Sequence, residues 1–526
     1  MSSPEPSPNR RGRALASSSG LLLVLAYPQA DIGWVAFVAL VPMLVALRGC
    51  DPAEGARRGF AAGLVFFVLL LHWIVRVTVT YGHLAWPVGI AVLLLLVAYL
   101  AAWVALFGWV VASIGRRWGG TAAIAAAPVI WVACEIGRGQ VLTGFPWGLI
   151  GYSQYRNLPL LQAAAAGGIY LVSALVLAVN AGLALALIRP RARAPMIAGA
   201  TLLTIVAAAH GAGLARLRSR AAPGPAIEVA AIQANVPQDR KWDAKEQAAI
   251  VADLERLTRE AAASGARLIV WPESSSPFPL SFPPAPGAAP EPAANRGYLE
   301  WIGRMARETG VTLIVGGVDY RIAGGRTEAL NSALVVGPGG VPGASYAKVH
   351  LVPFGEYVPL RRVLFFVDAM VEGAIAAFAP GTRVEALPTP VGRAAVFVCY
   401  EAIFPELVRR LARDADFLVN ITNDGWFGRG AAPRQHLAMA AVRAVESDRD
   451  LLRAANTGIS AVVDSSGRIR ARTAIGVTTV LRGRLAAGGT GRPLYARTGD
   501  LFAWGCVILA LLLGAASRGT AWRRAH

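Results

Sequence analysis

Apolar residues are spread unevenly along this chain, and their spacing changes twice. Up to about residue 215 they come in long stretches, at 60–75, 86–114, 121–136, 161–188 and 195–214, and one more closes the chain at 501–516. Most approach or exceed the roughly 20 residues that a helix needs to cross a bilayer. Two shorter stretches, 15–27 and 34–47, predict a pair of spans joined by a tight turn at 28–33. The pattern therefore predicts seven transmembrane helices within residues 1–214, a domain of different character at 215–500, and an eighth helix within 501–526.

In that middle domain, short apolar runs alternate with amphipathic ones. Residues 228–233, 268–271, 311–316, 332–336, 395–398, 416–420 and a final pair, 451–455 and 459–464, read as strands. Residues 244–263, with Leu254 and Leu257 on one face, 295–308, 404–412 and 433–447 read as helices. Interleaved strands and helices predict an α/β layer architecture; the pattern alone does not choose between stacked sheets and a single Rossmann-like sheet. Residues 277–294, rich in proline and alanine, read as a surface segment. Residues 361–380 are too apolar for a solvated loop. They begin with Arg361 and Arg362 and then carry Leu364, Phe365, Phe366 and Phe378. One reading is a core helix. The other is a lid whose apolar face enters the bilayer while the arginines meet lipid phosphates.

Composition agrees with a membrane protein: of 526 residues, 55% are hydrophobic and 16% charged, and the mean hydropathy is +0.49. That is too apolar for a soluble chain of this length. Arg10, Arg11 and Arg13 precede the first stretch, and Arg48, Arg57, Arg58, Arg116, Arg117, Arg189, Arg191 and Arg193 fall in every second connection thereafter. Basic residues mark the cytoplasmic side, which places both termini in the cytoplasm and residues 215–500 on the far face of the cytoplasmic membrane. The first stretch also fits a cleaved signal peptide, but no small-x-small site precedes the turn, so an uncleaved span is expected. The net charge of +19 then anchors topology. No nucleic-acid-binding motif accompanies it, and no nucleic-acid partner is expected.

Candidate chemistry lies in the middle domain. Cys399 ends the apolar run 395–398 and precedes the helix-like 404–412, a strand-to-helix turn where groups from other strand ends converge. Glu273 follows the apolar run 268–271 and Pro272, and Lys348 opens Lys348-Val349-His350-Leu351-Val352-Pro353-Phe354-Gly355-Glu356. These are a base, a cation and a soft nucleophile. A thiol with a reference pKa of about 8.5 needs such neighbours to react as a thiolate at neutral pH, and the combination suits acyl transfer through a thioester. Cys50, Cys134 and Cys506 sit in or beside apolar stretches and read as structural thiols. His72, His83, His210, His350, His436 and His526 are scattered, without metal-ligand spacing, so neither a metal nor a cofactor is expected.

The ordered motifs Trp271-Pro272-Glu273-Ser274, Lys348 to Tyr357 and Cys399-Tyr400-Glu401 resemble those of the nitrilase (carbon-nitrogen hydrolase) superfamily over about residues 227–464. That resemblance implies an αββα sandwich and a catalytic Glu273, Lys348 and Cys399. With the flanking spans included, the whole chain is similar to the apolipoprotein N-acyltransferase family. Thr143-Gly144-Phe145-Pro146-Trp147, Gly151-Tyr152-Ser153-Gln154, Ile232-Gln233-Ala234-Asn235 and Lys241-Trp242 carry this likeness. It implies a phospholipid acyl donor, phosphatidylethanolamine, and as acceptor the α-amino group of the diacylglyceryl-modified N-terminal cysteine of an apolipoprotein. It also implies that Glu356 is an additional acid, that Tyr400 and Glu401 complete the nucleophile turn, and that Trp242 acts on substrate. Trp147 and Tyr152 fit either membrane-interface anchors or substrate contacts, and Phe365 and Phe366 are candidate acyl contacts. The alternative is a membrane-tethered nitrilase-type amidase acting on a small amide, which has no use for eight spans.

Overall fold

The computed structural model describes residues 8–188, 192–220, 225–241, 243–280, 293–357, 378–488 and 491–518. Trp242, Phe365 and Phe366, with nearly all of the expected lid or core helix, lie outside them, as does most of 277–294. The chain forms two compact units, one of Met1–Arg76, Ala85–Arg220 and Pro493–His526, the other of Val77–Leu84 and Ala221–Arg492.

The first unit is helical. By length and composition, Trp86–Thr143, Ala164–Ile188 and Arg193–Arg218 can cross a membrane, and Pro52–Leu71 with Trp73–Thr80, bent by 52°, makes a fourth candidate. The first of these is no single rod. Gly119 leaves helical geometry at φ 83°, the Phe107 and Trp131 rings meet at 5.1 Å, and the Tyr99 hydroxyl donates to the Val141 carbonyl at 2.9 Å. In a straight helix, residues 99 and 141 would stand about 60 Å apart, so the chain doubles back at Gly119 into two antiparallel arms. The single span expected at 34–47 is instead broken into Ala36–Ala39 and Val41–Ala46. Pro42 has no N–H to continue the ladder. Fully buried Asn180 serves the break, accepting from the Leu40 N–H at 2.8 Å and donating to the Ala36 carbonyl at 2.8 Å.

Helices of this unit meet through glycine. In Pro52–Leu71, Gly55, Gly59 and Gly63 recur every fourth residue on the face toward Trp86–Gln140. A Cβ at Gly59 would strike the Val104 carbonyl, one at Gly55 would come within 2.6 Å of the Gly108 carbonyl oxygen, and one at Gly63 within 2.9 Å of Ala101 Cα. Where lipid replaces water and the hydrophobic drive is absent, such close backbone approach is what holds helices together.

The second unit contains two six-stranded sheets. The strands are β1 (Ala226–Gln233), β2 (Leu268–Val270), β3 (Thr312–Ala323), β4 (Arg326–Val336), β5 (Pro342–Ala347), β6 (Leu387–Thr389), β7 (Gly392–Val398), β8 (Phe417–Thr422), β9 (Leu451–Ala455), β10 (Ala461–Val463), β11 (Ile469–Arg472) and β12 (Thr479–Ala486). One sheet runs β12-β1-β2-β3-β4-β5 and the other β11-β10-β9-β8-β7-β6. Within them β1-β2-β3 and β7-β8-β9 are parallel. Alternation along a strand sorts side chains between layers. Val229, Ala231, Leu268, Val270 and Ile314 face the other sheet in one core. Ala230, Ile232, Ile269, Trp271 and Leu313 pack on helices Gln247–Ala263 and Ala293–Thr309 in a second. Helices Pro405–Leu411 and Ala432–Ser447 contribute Val408, Leu411, Leu437 and Ala440 to the first core beside the second sheet's strands. The result is the four-layer αββα sandwich. Strands β3 and β4 run longer than expected and close a hairpin at Gly324-Gly325, both at positive φ, as a tight two-residue turn demands.

If the glycine face seats the helices, Gly59→Leu drives a side chain into backbone and costs about 1–3 kcal/mol or more. Thermal unfolding in detergent is expected at a clearly lower temperature. Gly211→Leu, where a Cβ meets nothing within 4 Å, leaves the transition in place.

Candidate active site

Each of the three expected residues follows a strand: Glu273 after β2, Lys348 after β5 and Cys399 after β7. The structure brings Glu273 and Lys348 into direct contact, and all three are nearly solvent-free, with 5%, 1% and 6% of their surface exposed. Cys399 sits at φ 48°, a left-handed backbone that costs a non-glycine residue energy and marks a turn held by its surroundings.

Lys348 is bonded to both carboxylates. Its Nζ lies 3.0 and 2.9 Å from the two Glu356 oxygens and 3.5 Å from Glu273 Oε1. Asn331 on β4 bridges the same pair, its amide nitrogen donating to Glu273 Oε1 at 2.7 Å and to Glu356 Oε1 at 2.9 Å. Backbone N–H groups finish the set, Asn423 to Glu273 Oε2 at 2.7 Å and Val352 to Glu356 Oε2 at 2.8 Å. Burial opposes the Lys348 ammonium, but Glu356, Glu273 and Cys399 outweigh it and hold its pKa above the ordinary lysine value.

Cys399 moves the other way. Burial raises its thiol well above the usual cysteine range, Glu273 adds to the rise, and Lys348 only partly offsets it. These influences favour the neutral thiol over the thiolate.

A second lysine lies at the site. Lys241, 4% exposed, donates to the Glu273 backbone carbonyl at 3.1 Å and so braces the turn that presents that carboxylate. Burial pulls its pKa down to about 8, against the pull of Glu273 and Cys399.

Glu401 ties the Cys399 turn to the Lys348 loop. Fully buried, it accepts from Val398 N–H at 2.7 Å, Val349 N–H at 2.7 Å, His350 N–H at 3.1 Å and the Tyr346 hydroxyl at 2.8 Å. Tyr400 sets its ring edge-on to Phe404 at 5.2 Å. His350 stacks on Phe404 at 3.7 Å, and burial and then Lys348 lower its pKa to about 4.

Trp147 and Tyr152 are each 2% exposed, packed inside the helical unit rather than displayed at a surface as an interface anchor would be. Trp147 lies against Trp73 at 5.0 Å, and its carbonyl accepts from Arg138 at 2.8 Å. Arg138 also donates to the carbonyls of Phe145 and Gly148, so this buried cation shapes the 143–148 segment.

Donor atoms of Cys399, Asp424 and His436 lie within 4.8 Å of one another, the spacing of a metal-binding set. However, Arg453 donates to Asp424 Oδ2 at 2.7 Å and reaches His436 Nδ1 at 3.1 Å. A fixed guanidinium is thus already the charge partner of two of the three side chains. Asn331, His436 and Arg453 are the parts of this site that the motifs did not single out. A polar residue inside an apolar strand, as in Leu330-Asn331-Ser332-Ala333-Leu334, was the available signal.

Residues 19–182 match the family described as the apolipoprotein N-acyltransferase N-terminal domain, and residues 228–487 that described as carbon-nitrogen hydrolase. The chain is 40% identical over 512 residues to an apolipoprotein N-acyltransferase from Geobacter metallireducens, covering 96% of this chain and 95% of that protein. It is 35% identical over 468 residues to one from Azotobacter vinelandii, covering 88% and 87%, and 34% identical over 515 residues to one from Pseudomonas syringae pv. tomato, covering 96% of each.

The raised thiol pKa sets a pH profile. Iodoacetamide reacts with thiolate, so alkylation of Cys399, followed by peptide mass spectrometry to separate it from the other cysteines, is expected to rise about tenfold per pH unit from 7 to 9 without levelling, unlike an ordinary cysteine near pH 8.5. Lys348→Met removes the stabilising cation and lowers the rate at every pH. A plateau below pH 8 would mean a preformed thiolate.

Proposed function

The chain belongs to the apolipoprotein N-acyltransferase family, and on that premise we propose that Cys399 takes an acyl chain from a membrane phospholipid and passes it to the α-amino group of the diacylglyceryl-cysteine at the N-terminus of an apolipoprotein. The observation that carries this reading is a buried, strained cysteine turn facing a hydrogen-bonded carboxylate–lysine–carboxylate cluster, in a chain that also holds apolar helices able to span a membrane. The amidase alternative accounts for the second unit alone, whereas the similarity to relatives extends over the helices as well.

In the first half-reaction the Cys399 sulfur attacks an ester carbonyl of the phospholipid. Glu273 takes the thiol proton as the carbon–sulfur bond forms and returns it to the departing glycerol oxygen, releasing a lysophospholipid and leaving a thioester on Cys399. Lys348, which keeps its charge, and the Tyr400 N–H stabilise the oxyanion, each such donor being worth about 3–4 kcal/mol in comparable sites. Glu356 shares the Lys348 ammonium and keeps it from collapsing onto Glu273. In the second half-reaction the acceptor amine attacks the thioester, Glu273 takes an amine proton, and the thiolate is reprotonated as the amide leaves. The donor is phosphatidylethanolamine, and the catalytic unit faces outward from the cytoplasmic membrane, as the basic residues on alternate connections imply.

With phosphatidylethanolamine carrying a labelled acyl chain, the protein is expected to acquire a hydroxylamine-labile label that is lost on adding a diacylglyceryl peptide. Cys399→Ala abolishes the label, and Glu273→Gln slows its formation by roughly 10²- to 10⁴-fold. Lys348→Arg also fails, because a planar guanidinium does not replace a compact ammonium in a closed site. Labelling of Cys399→Ala at the normal rate would reject the reading, and equal labelling from phosphatidylglycerol would reject the headgroup preference.

A further inference from the structure

Behind the nucleophile lies a buried charged cluster that the steps above do not use. His436, on helix Ala432–Ser447, Asp424, in the turn after β8, and Arg453, on β9, are all fully buried. His436 Nε2 is 2.9 Å from the Cys399 carbonyl oxygen, and its Nδ1 is 3.0 Å from Asp424 Oδ1 and 3.1 Å from Arg453. Thr422 donates its hydroxyl to Asp424 Oδ1 at 2.9 Å, and Arg453 is further pinned by Asn420 and by the Ile459 carbonyl at 3.2 Å.

These partners fix the proton on the ring. A carbonyl only accepts, so Nε2 carries hydrogen and donates to Cys399. Nδ1 stands between Asp424, which only accepts, and Arg453, which only donates, so the Nε2 hydrogen is present whichever of the two Nδ1 answers. Burial, then Arg453, hold its pKa below the ordinary histidine value against the pull of Asp424, and so favour the neutral ring.

The Cys399 carbonyl and the Tyr400 N–H belong to one peptide unit. That unit is planar, and in the trans form the two groups point in opposite directions; no cis peptide bond occurs among the described residues. A bond that fixes the carbonyl on one side therefore aims the N–H on the other. We propose that His436 is a positioning residue: by holding the Cys399 carbonyl it locks the left-handed nucleophile turn and aims the Tyr400 N–H at the oxyanion of the acyl-transfer intermediate. The inference rests on the acyl-transfer reading above. As the oxyanion gathers charge it polarises the shared peptide, and the bond to His436 strengthens with it. The effect thus falls on turnover rather than on substrate binding.

Three substitutions and two readouts test this. Gln places an amide N–H and an oxygen near the positions of Nε2 and Nδ1, so His436→Gln is expected to keep most single-turnover acylation by labelled phospholipid. His436→Leu removes both groups, and His436→Asn stays polar toward Arg453 but falls short of the Cys399 carbonyl. Both are expected to lose roughly 10- to 100-fold in acylation, part of what a whole oxyanion donor is worth, with KM nearly unchanged. Alkylation of Cys399 by iodoacetamide forms no oxyanion and is expected to change less than about threefold in all three. Because each rate is compared with alkylation of the same protein, general damage to the fold moves both readouts together. Wild-type acylation in the Asn and Leu variants, or parallel loss of acylation and alkylation in all three, would overturn the role of His436. Acylation surviving in Cys399→Ala would instead overturn the parent reading.

Discussion

Lys348 shares one ammonium between two carboxylates where there is almost no water to screen them. Even with Lys241 beside Glu273, charges in such a place are destabilising by several kcal/mol unless hydrogen bonds replace the lost water. The surrounding structure answers that demand. Asn331 of β4, the Asn423 N–H after β8 and the Val352 N–H each donate to a carboxylate oxygen. Donors from both sheets must therefore reach one point, which a sandwich with its strand ends gathered on one side allows. The same demand explains why the cluster tolerates few exchanges: removing one donor leaves a buried acceptor unmet, which is worse than never having placed it there.

The helical unit solves a different problem with different means. Its helices meet where side chains are absent, at Gly55, Gly59 and Gly63, and its breaks are served by single polar side chains. Asn180 answers the break at Leu40, and Arg138 gathers three carbonyls of the 143–148 segment. Unsatisfied backbone is the expensive item in an apolar setting, and these two residues supply what the interrupted helical ladder cannot.

Much of this was legible beforehand. Cys399, Glu273, Lys348 and Glu356 stood out because each follows an apolar strand or lies within a recognisable motif. Asn331, His436 and Arg453 did not, because they are ordinary residue types whose partners lie far away in the chain; Arg453 meets Asp424 across 29 positions and Asn331 meets Glu273 across 58. Strands β5, β6, β11 and β12 were missed for another reason. They are edge or near-edge strands with exposed positions, and Pro342 and Pro388 weaken the strand pattern where proline is tolerated only because the edge is open. The break at Leu40 was hidden because apolar composition reports burial, not the continuity of a helix.

The neutral state of Cys399 bears on more than catalysis. Peroxides and disulfides attack through the thiolate, and a thiolate that is both permanent and accessible is the usual route to sulfenic acid. Here burial and Glu273 favour the protonated sulfur, the less reactive form of the thiol. The electrostatics that make the thiol wait for its substrate also disfavour its oxidation.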